Sequence, residues 1–144
     1  MKKTLFVFIV ATLFITACKK NEPDEPAPAT IVLKTTAEKV LGKWMFNSLV
    51  LNEFYSNTLY SDTVIGTAFE YLEFRNNGKM YANINFLGGM DTLSYAVMND
   101  STINIDGEIN KIKELTESKF VIYDKIINST SPLEYEEFFL NLKK

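Results

Sequence analysis

The chain has no histidine, and its 144 residues include one cysteine, Cys18. Without imidazole there is no Ser–His or Cys–His nucleophile pair, no Cys/His zinc site and no histidine acid–base step. A single thiol cannot close an internal disulfide, whatever the compartment. No basic stripe is present to neutralise phosphates, and the formal charge is −3, so a nucleic-acid partner is not expected. The long apolar run is confined to Leu5–Ile15, too short to cross a bilayer as a helix. Carboxylate, tyrosine and lysine chemistry remains, but no enzyme motif organises it. No catalytic residue, no metal and no cofactor is expected.

What is present begins at the N-terminus. Lys2-Lys3 precede the apolar run, which ends in Ile15-Thr16-Ala17-Cys18. This segment resembles the signal peptide and lipobox of bacterial lipoproteins, with small residues before the cut. The resemblance implies removal of residues 1–17 and a diacylglycerol on the Cys18 thiol, hence a membrane partner reached through lipid. Cleavage removes two lysines and none of the 18 acidic residues, so the remaining chain is not drawn to an anionic surface by charge. Lys19, where inner-membrane retention in some enterics uses aspartate, implies the outer membrane of the cell envelope.

Residues 18–35 form a Pro-rich, charged tether: Lys19–Thr30 carries three prolines and no large apolar side chain, too little to offset its ordering entropy. Thr36 is placed to cap a short helical turn through Leu41, with Gly42 at its end. Residues 36–144 then read as one all-β domain. Strands are expected near 43–52, 68–75, 79–86, 92–98, 101–106, 109–114, 119–127 and 133–142, with 54–65 adding a short or irregular one. Met80, Ala82, Ile84 and Phe86 alternate with Lys79, Tyr81, Asn83 and Asn85. Asn77-Gly78 marks a tight hairpin, and Asn99-Asp100-Ser101, Asp106-Gly107 and Gly88-Gly89 mark further reversals. Short links between sequential strands predict an antiparallel up-and-down β-barrel of about eight strands.

Leu41-Gly42-Lys43-Trp44 carries a resemblance. A short helical turn followed by Gly-x-Trp at the first strand resembles the lipocalins and calycins, in particular the lipocalin-like domain of small bacterial lipoproteins. Leu72-Glu73-Phe74 before Asn77-Gly78, the Tyr95 strand, and Leu115-Thr116 before Phe120-Val121-Ile122 are similar too. The resemblance implies that Trp44 plugs the closed end of the barrel.

Two functions fit. The first is a non-catalytic binding barrel holding a small apolar or amphipathic ligand, with Trp44, Leu72, Phe74, Met80, Ile84, Phe86 and Tyr95 lining the pocket. The bland alternative for the same residues is an inward-facing core. The second is a solid-cored interaction protein that docks an envelope partner through its outer face or the 51–65 segment, where Phe54, Tyr55, Leu59 and Tyr60 lack clean alternation.

The acidic residues support less. Glu134 and Glu136 read as a solvated face, Glu70 and Glu73 fall on opposite faces, and Asp62 with Glu53 and Tyr60 makes no recognisable acid–base set. Asp62-Thr63, Asp91-Thr92 and Asp100-Ser101 resemble an O-glycosylation sequon of exported proteins. They equally suit an aspartate bonding local backbone.

Overall fold

The computed structural model describes residues 33–85 and 88–144, so the lipobox, Cys18 and most of the tether lie outside the described residues, as does Phe86. Among the described residues one helix, α1 (Thr36–Val40), precedes nine strands: β1 (Gly42–Tyr55), β2 (Thr58–Ile65), β3 (Tyr71–Phe74), β4 (Lys79–Ile84), β5 (Gly89–Asn99), β6 (Thr102–Ile105), β7 (Glu108–Leu115), β8 (Lys119–Ile127) and β9 (Tyr135–Lys143). The expected all-β, antiparallel barrel is what forms.

Closure depends on β1, the longest strand. Its first residues, Gly42–Met45, pair with β3, and from Met45 onward its opposite edge pairs with β9. The eight strands β1 and β3–β9 thereby close into a barrel, each pair antiparallel. A bulge between Phe46 and Ser48 resets the alternation of β1. Trp44 and Phe46 face the core, Ser48 sits opposite Asn141, and Leu49 turns inward again beside Leu140. Without that extra residue the upper half of β1 would expose its apolar face.

β2 departs from the expectation of a short or irregular piece. It is a regular eight-residue strand that pairs with β1 over Ser48–Tyr55. The turn is Ser56-Asn57, both at positive φ (49° and 62°), the two-residue geometry that fits the twist of a hairpin. β1 also runs on to Tyr55, past the boundary expected near 52.

At the other end, α1 lies across the barrel. Its cap is Thr35 rather than Thr36, with a reciprocal capping box to Glu38. Thr36 instead donates from its hydroxyl to Asp100 at 2.6 Å, holding α1 against the β5–β6 turn. Of Asn77-Gly78, only Gly78 adopts a positive φ. Gly78 N–H donates to Arg75 O and Arg75 N–H to Lys79 O, the pattern of a type I turn closed by a glycine bulge.

Candidate functional site

The residues expected to line a pocket lie in the barrel interior. Trp44, Leu72, Phe74, Met80 and Ile84 are each no more than 3% exposed, and they pack against Phe46, Ile103, Phe120, Ile122 and Leu142. Aromatic rings interlock through this lower half. Trp44 meets Phe120 edge-on at 5.4 Å between centroids, and Phe74 bridges to Phe120 at 5.8 Å and to Tyr95 at 5.0 Å. Tyr95 is half-buried; its hydroxyl donates to Arg75 O at 2.8 Å, and burial raises its phenol above the ordinary value. These side chains fill the space between the strands with contacts of their own.

Trp44 sits at the end that α1 covers. Its indole N–H donates to Val40 O at 2.7 Å, and Lys144 Nζ lies 4.0 Å from the ring. The same ammonium donates to Lys39 O and Leu41 O, each at 3.3 Å, and burial pushes its pKa down. It thereby ties the C-terminus to the end of α1, a contact that nothing in the pattern of the sequence foretells.

Glu70 has a role that the sequence conceals. It is 5% exposed, and its carboxylate accepts Asn85 N–H at 2.8 Å and Thr67 N–H at 2.7 Å. Those backbone donors, Asn85 first, hold its pKa below the usual carboxylate value. Glu70 staples the β2–β3 link to the end of β4. Beside it, Gly66 passes so close to β1 that a Cβ there would fall 2.1 Å from Phe46 O. Tyr123, on the outer face, donates to Glu137 at 2.8 Å, and burial together with that carboxylate pushes its phenol up to about 12.

No known protein family, curated protein or solved structure matches the chain. The site therefore rests on geometry.

The open end differs from the packed half. There β2, β1, β9 and β8 continue beyond the closed barrel as a four-stranded extension. Its register sets out the inward face in rows. Val64, Leu49, Leu140 and Ile122 share the deepest row, Asp62, Leu51, Phe138 and Asp124 the next, and Tyr60, Glu53, Glu136 and Ile126 the outermost. Four carboxylates thus stand among apolar side chains, and no lysine or arginine occupies these rows. Glu53 and Glu136 are direct cross-strand neighbours, an unfavourable pairing of like charges. A cleft of about 400 Å3 opens at the tip, bounded by Glu53, Tyr55, Ile126, Glu134 and Glu136. Glu134 precedes β9, where it accepts Asn128 Nδ2 at 3.1 Å, and Glu137 points to the opposite face with Tyr123 and Lys125. Among the described residues no group of three acidic side chains could hold a metal ion.

All eight residues of β2 are exposed, and among the described residues β2 pairs with β1 alone. The hairpin alternation, continued by Gly66 N–H donating to Asn47 O, directs the backbone groups of Leu59, Ser61, Thr63 and Ile65 away from β1. Asp62 covers one of these, its carboxylate accepting Thr63 N–H at 2.7 Å. The same device recurs where other strands outrun a neighbour. Asp91 accepts Thr92 N–H at 2.6 Å and Asp124 accepts Lys125 N–H at 2.8 Å. Asp62-Thr63 and Asp91-Thr92 thus make the local backbone bond that an aspartate before threonine can form. At Asp100-Ser101 it is Asn99 that takes the Ser101 amide, at 2.9 Å.

Proposed function

We propose that this chain is a lipid-anchored envelope protein that docks a partner protein through its β1–β2 hairpin. Cys18 carries the lipid in this reading, the outer membrane is its location, and the barrel is a rigid carrier without catalysis. The observation that carries the docking is β2, a regular strand with every residue exposed, bearing Leu59, Tyr60, Val64 and Ile65 in open solvent. Such a strand adds little to the barrel core, and it shows apolar side chains on both faces, Tyr60 and Val64 inward and Leu59 and Ile65 outward, as a strand awaiting a partner does. The lipocalin resemblance suits this as a scaffold.

Site-specific photo-crosslinkers test the reading in the native membrane. Incorporation at Leu59 and Tyr60 is expected to yield one discrete adduct, and incorporation at Lys43, at the far end, none. Equal labelling at both ends, or no adduct at the hairpin, would refute docking there.

A second reading, a barrel holding a small lipophilic ligand, draws on the half-buried apolar residues inside the mouth, Leu49, Leu51, Phe138 and Leu140. Trp44, Leu72, Phe74, Met80 and Ile84 would then form its floor. Saturable quenching of a lipophilic probe, lost on placing a charge at Leu51, would support it.

A further inference from the structure

We infer that the free edge of β2 is a strand-accepting site for an extended segment carrying lysine or arginine at alternate positions. This rests on the docking reading above and names the chemistry of the partner. The backbone supplies the first half of the argument. An edge whose N–H and C=O groups at Leu59, Ser61, Thr63 and Ile65 face solvent can pair with one further strand, and such pairing is a common mode of peptide recognition. β2 contains no proline and no lysine, the residues that ordinarily discourage pairing at an edge.

Charge supplies the second half. A strand added beside β2 would place every second side chain on the inward face, next to Tyr60, Asp62 and Val64. That face carries Asp62, Glu53, Glu136 and Asp124 without a compensating cation. A lysine or arginine opposite Asp62 would meet that carboxylate directly, with the more distant Glu53 and Glu136 adding a favourable field of the same sign, and apolar residues between the cations would cover Leu59 and Ile65 on the other face. A second copy of this chain fits poorly. The centred antiparallel register, Ser61 to Thr63 of the other copy, sets the two Asp62 carboxylates directly opposite one another, and the registers shifted by two residues bring in no cation for either.

Asp62 has a defined part in binding. In the free protein its carboxylate occupies the Thr63 amide at 2.7 Å. On pairing, that amide donates to a carbonyl of the incoming strand, and the carboxylate turns to the incoming cation. The placeholder keeps the edge satisfied until a segment of the right charge replaces it.

Fluorescence anisotropy with the full chain in detergent tests this, using a capped peptide that alternates valine and lysine. Saturable binding is expected. It should weaken by about tenfold or more when lysine is replaced by glutamate, when the peptide amides facing β2 are N-methylated, and in Asp62→Asn. Thr63→Pro removes the outward amide while leaving the bonds to β1, and it should weaken binding similarly if far-UV circular dichroism shows an intact fold. Should Thr63→Pro not fold, the N-methylated peptide decides the backbone contribution alone. Equal binding of the valine–glutamate or N-methylated peptide, or no binding of the lysine peptide, would overturn the proposal. Crosslinking at Leu59 without peptide binding would overturn strand addition and leave docking standing, whereas peptide binding without crosslinks would do the reverse.

Discussion

An indole buried completely must find an acceptor for its N–H, and Trp44 finds one four residues back, at Val40 O. The bond makes α1 and the first residues of β1 one unit, with Lys144 closing over the ring from the C-terminus. Trp44→Ala would leave a cavity and an unpaired carbonyl together. We expect a loss of roughly 3–5 kcal/mol in urea unfolding, with the barrel retained but α1 undocked. Tyr123 sets a pH limit at the residue scale. Its phenol is raised to about 12, so the native state keeps a proton that the unfolded chain releases near 10. That contribution is complete below the unfolded pKa and disappears as pH rises through the folded one. The urea midpoint should therefore decline between pH 10 and about 12, and Tyr123→Phe should flatten that part of the decline. The burial of Trp44 at the end covered by α1 fits what the Gly-x-Trp resemblance implies. Glu70, Gly66 and Lys144 were not, because their partners are backbone groups far along the chain, which no local pattern encodes.

At the scale of elements, turn chemistry decided what could be read. Gly78, Gly89 and Gly107 all adopt positive φ, and the turns they mark fell where expected. Ser56-Asn57 contains no glycine, yet both residues are left-handed, and the hairpin was visible only as a short or irregular strand at 54–65, in a segment, 51–65, without clean alternation. Part of that disorder in the pattern is physical: β2 buries neither face, so nothing selects a period of two. Changing Ser56→Asn and Asn57→Gly together should relieve the strain and stabilise the hairpin by about 0.5–1 kcal/mol. Slower amide exchange at Tyr55 and Thr58 would register it. Unchanged exchange would mean that the hairpin is held by β9 rather than by its turn.

For the whole molecule, the architecture was largely legible from spacing alone, because short turns between sequential strands allow few topologies. The candidate site was less so. Alternation sorted Met80, Ala82 and Ile84 to the interior they share with Trp44, Leu72 and Phe74, yet could not say whether that interior was open or filled. The anionic face is assembled from Asp62, Glu53, Glu136 and Asp124 on four strands, and only the register brings them into adjacent rows. The proposed anchor has a direct check. Cys18→Ser should move the protein from the membrane fraction to the soluble fraction, and mass spectrometry of the native N-terminal peptide should find a lipid on that thiol. Retention of the variant in membranes would argue against lipid anchoring.

The seam between β1 and β9 joins the first and last strands of the described residues, along nine paired positions from Met45–Lys143 to Phe54–Tyr135. A polypeptide delivered N-terminus first cannot close that seam until β9 has been made. Until then β1 is a strand whose longest partner does not yet exist, and although the sequential hairpins can form locally, the cost of bringing β1 to β9 must be met before the ring closes. Folding is thus a late event on about the millisecond-to-second scale typical of non-local β topologies. Loss of β9 as a whole would remove the strand that completes the ring.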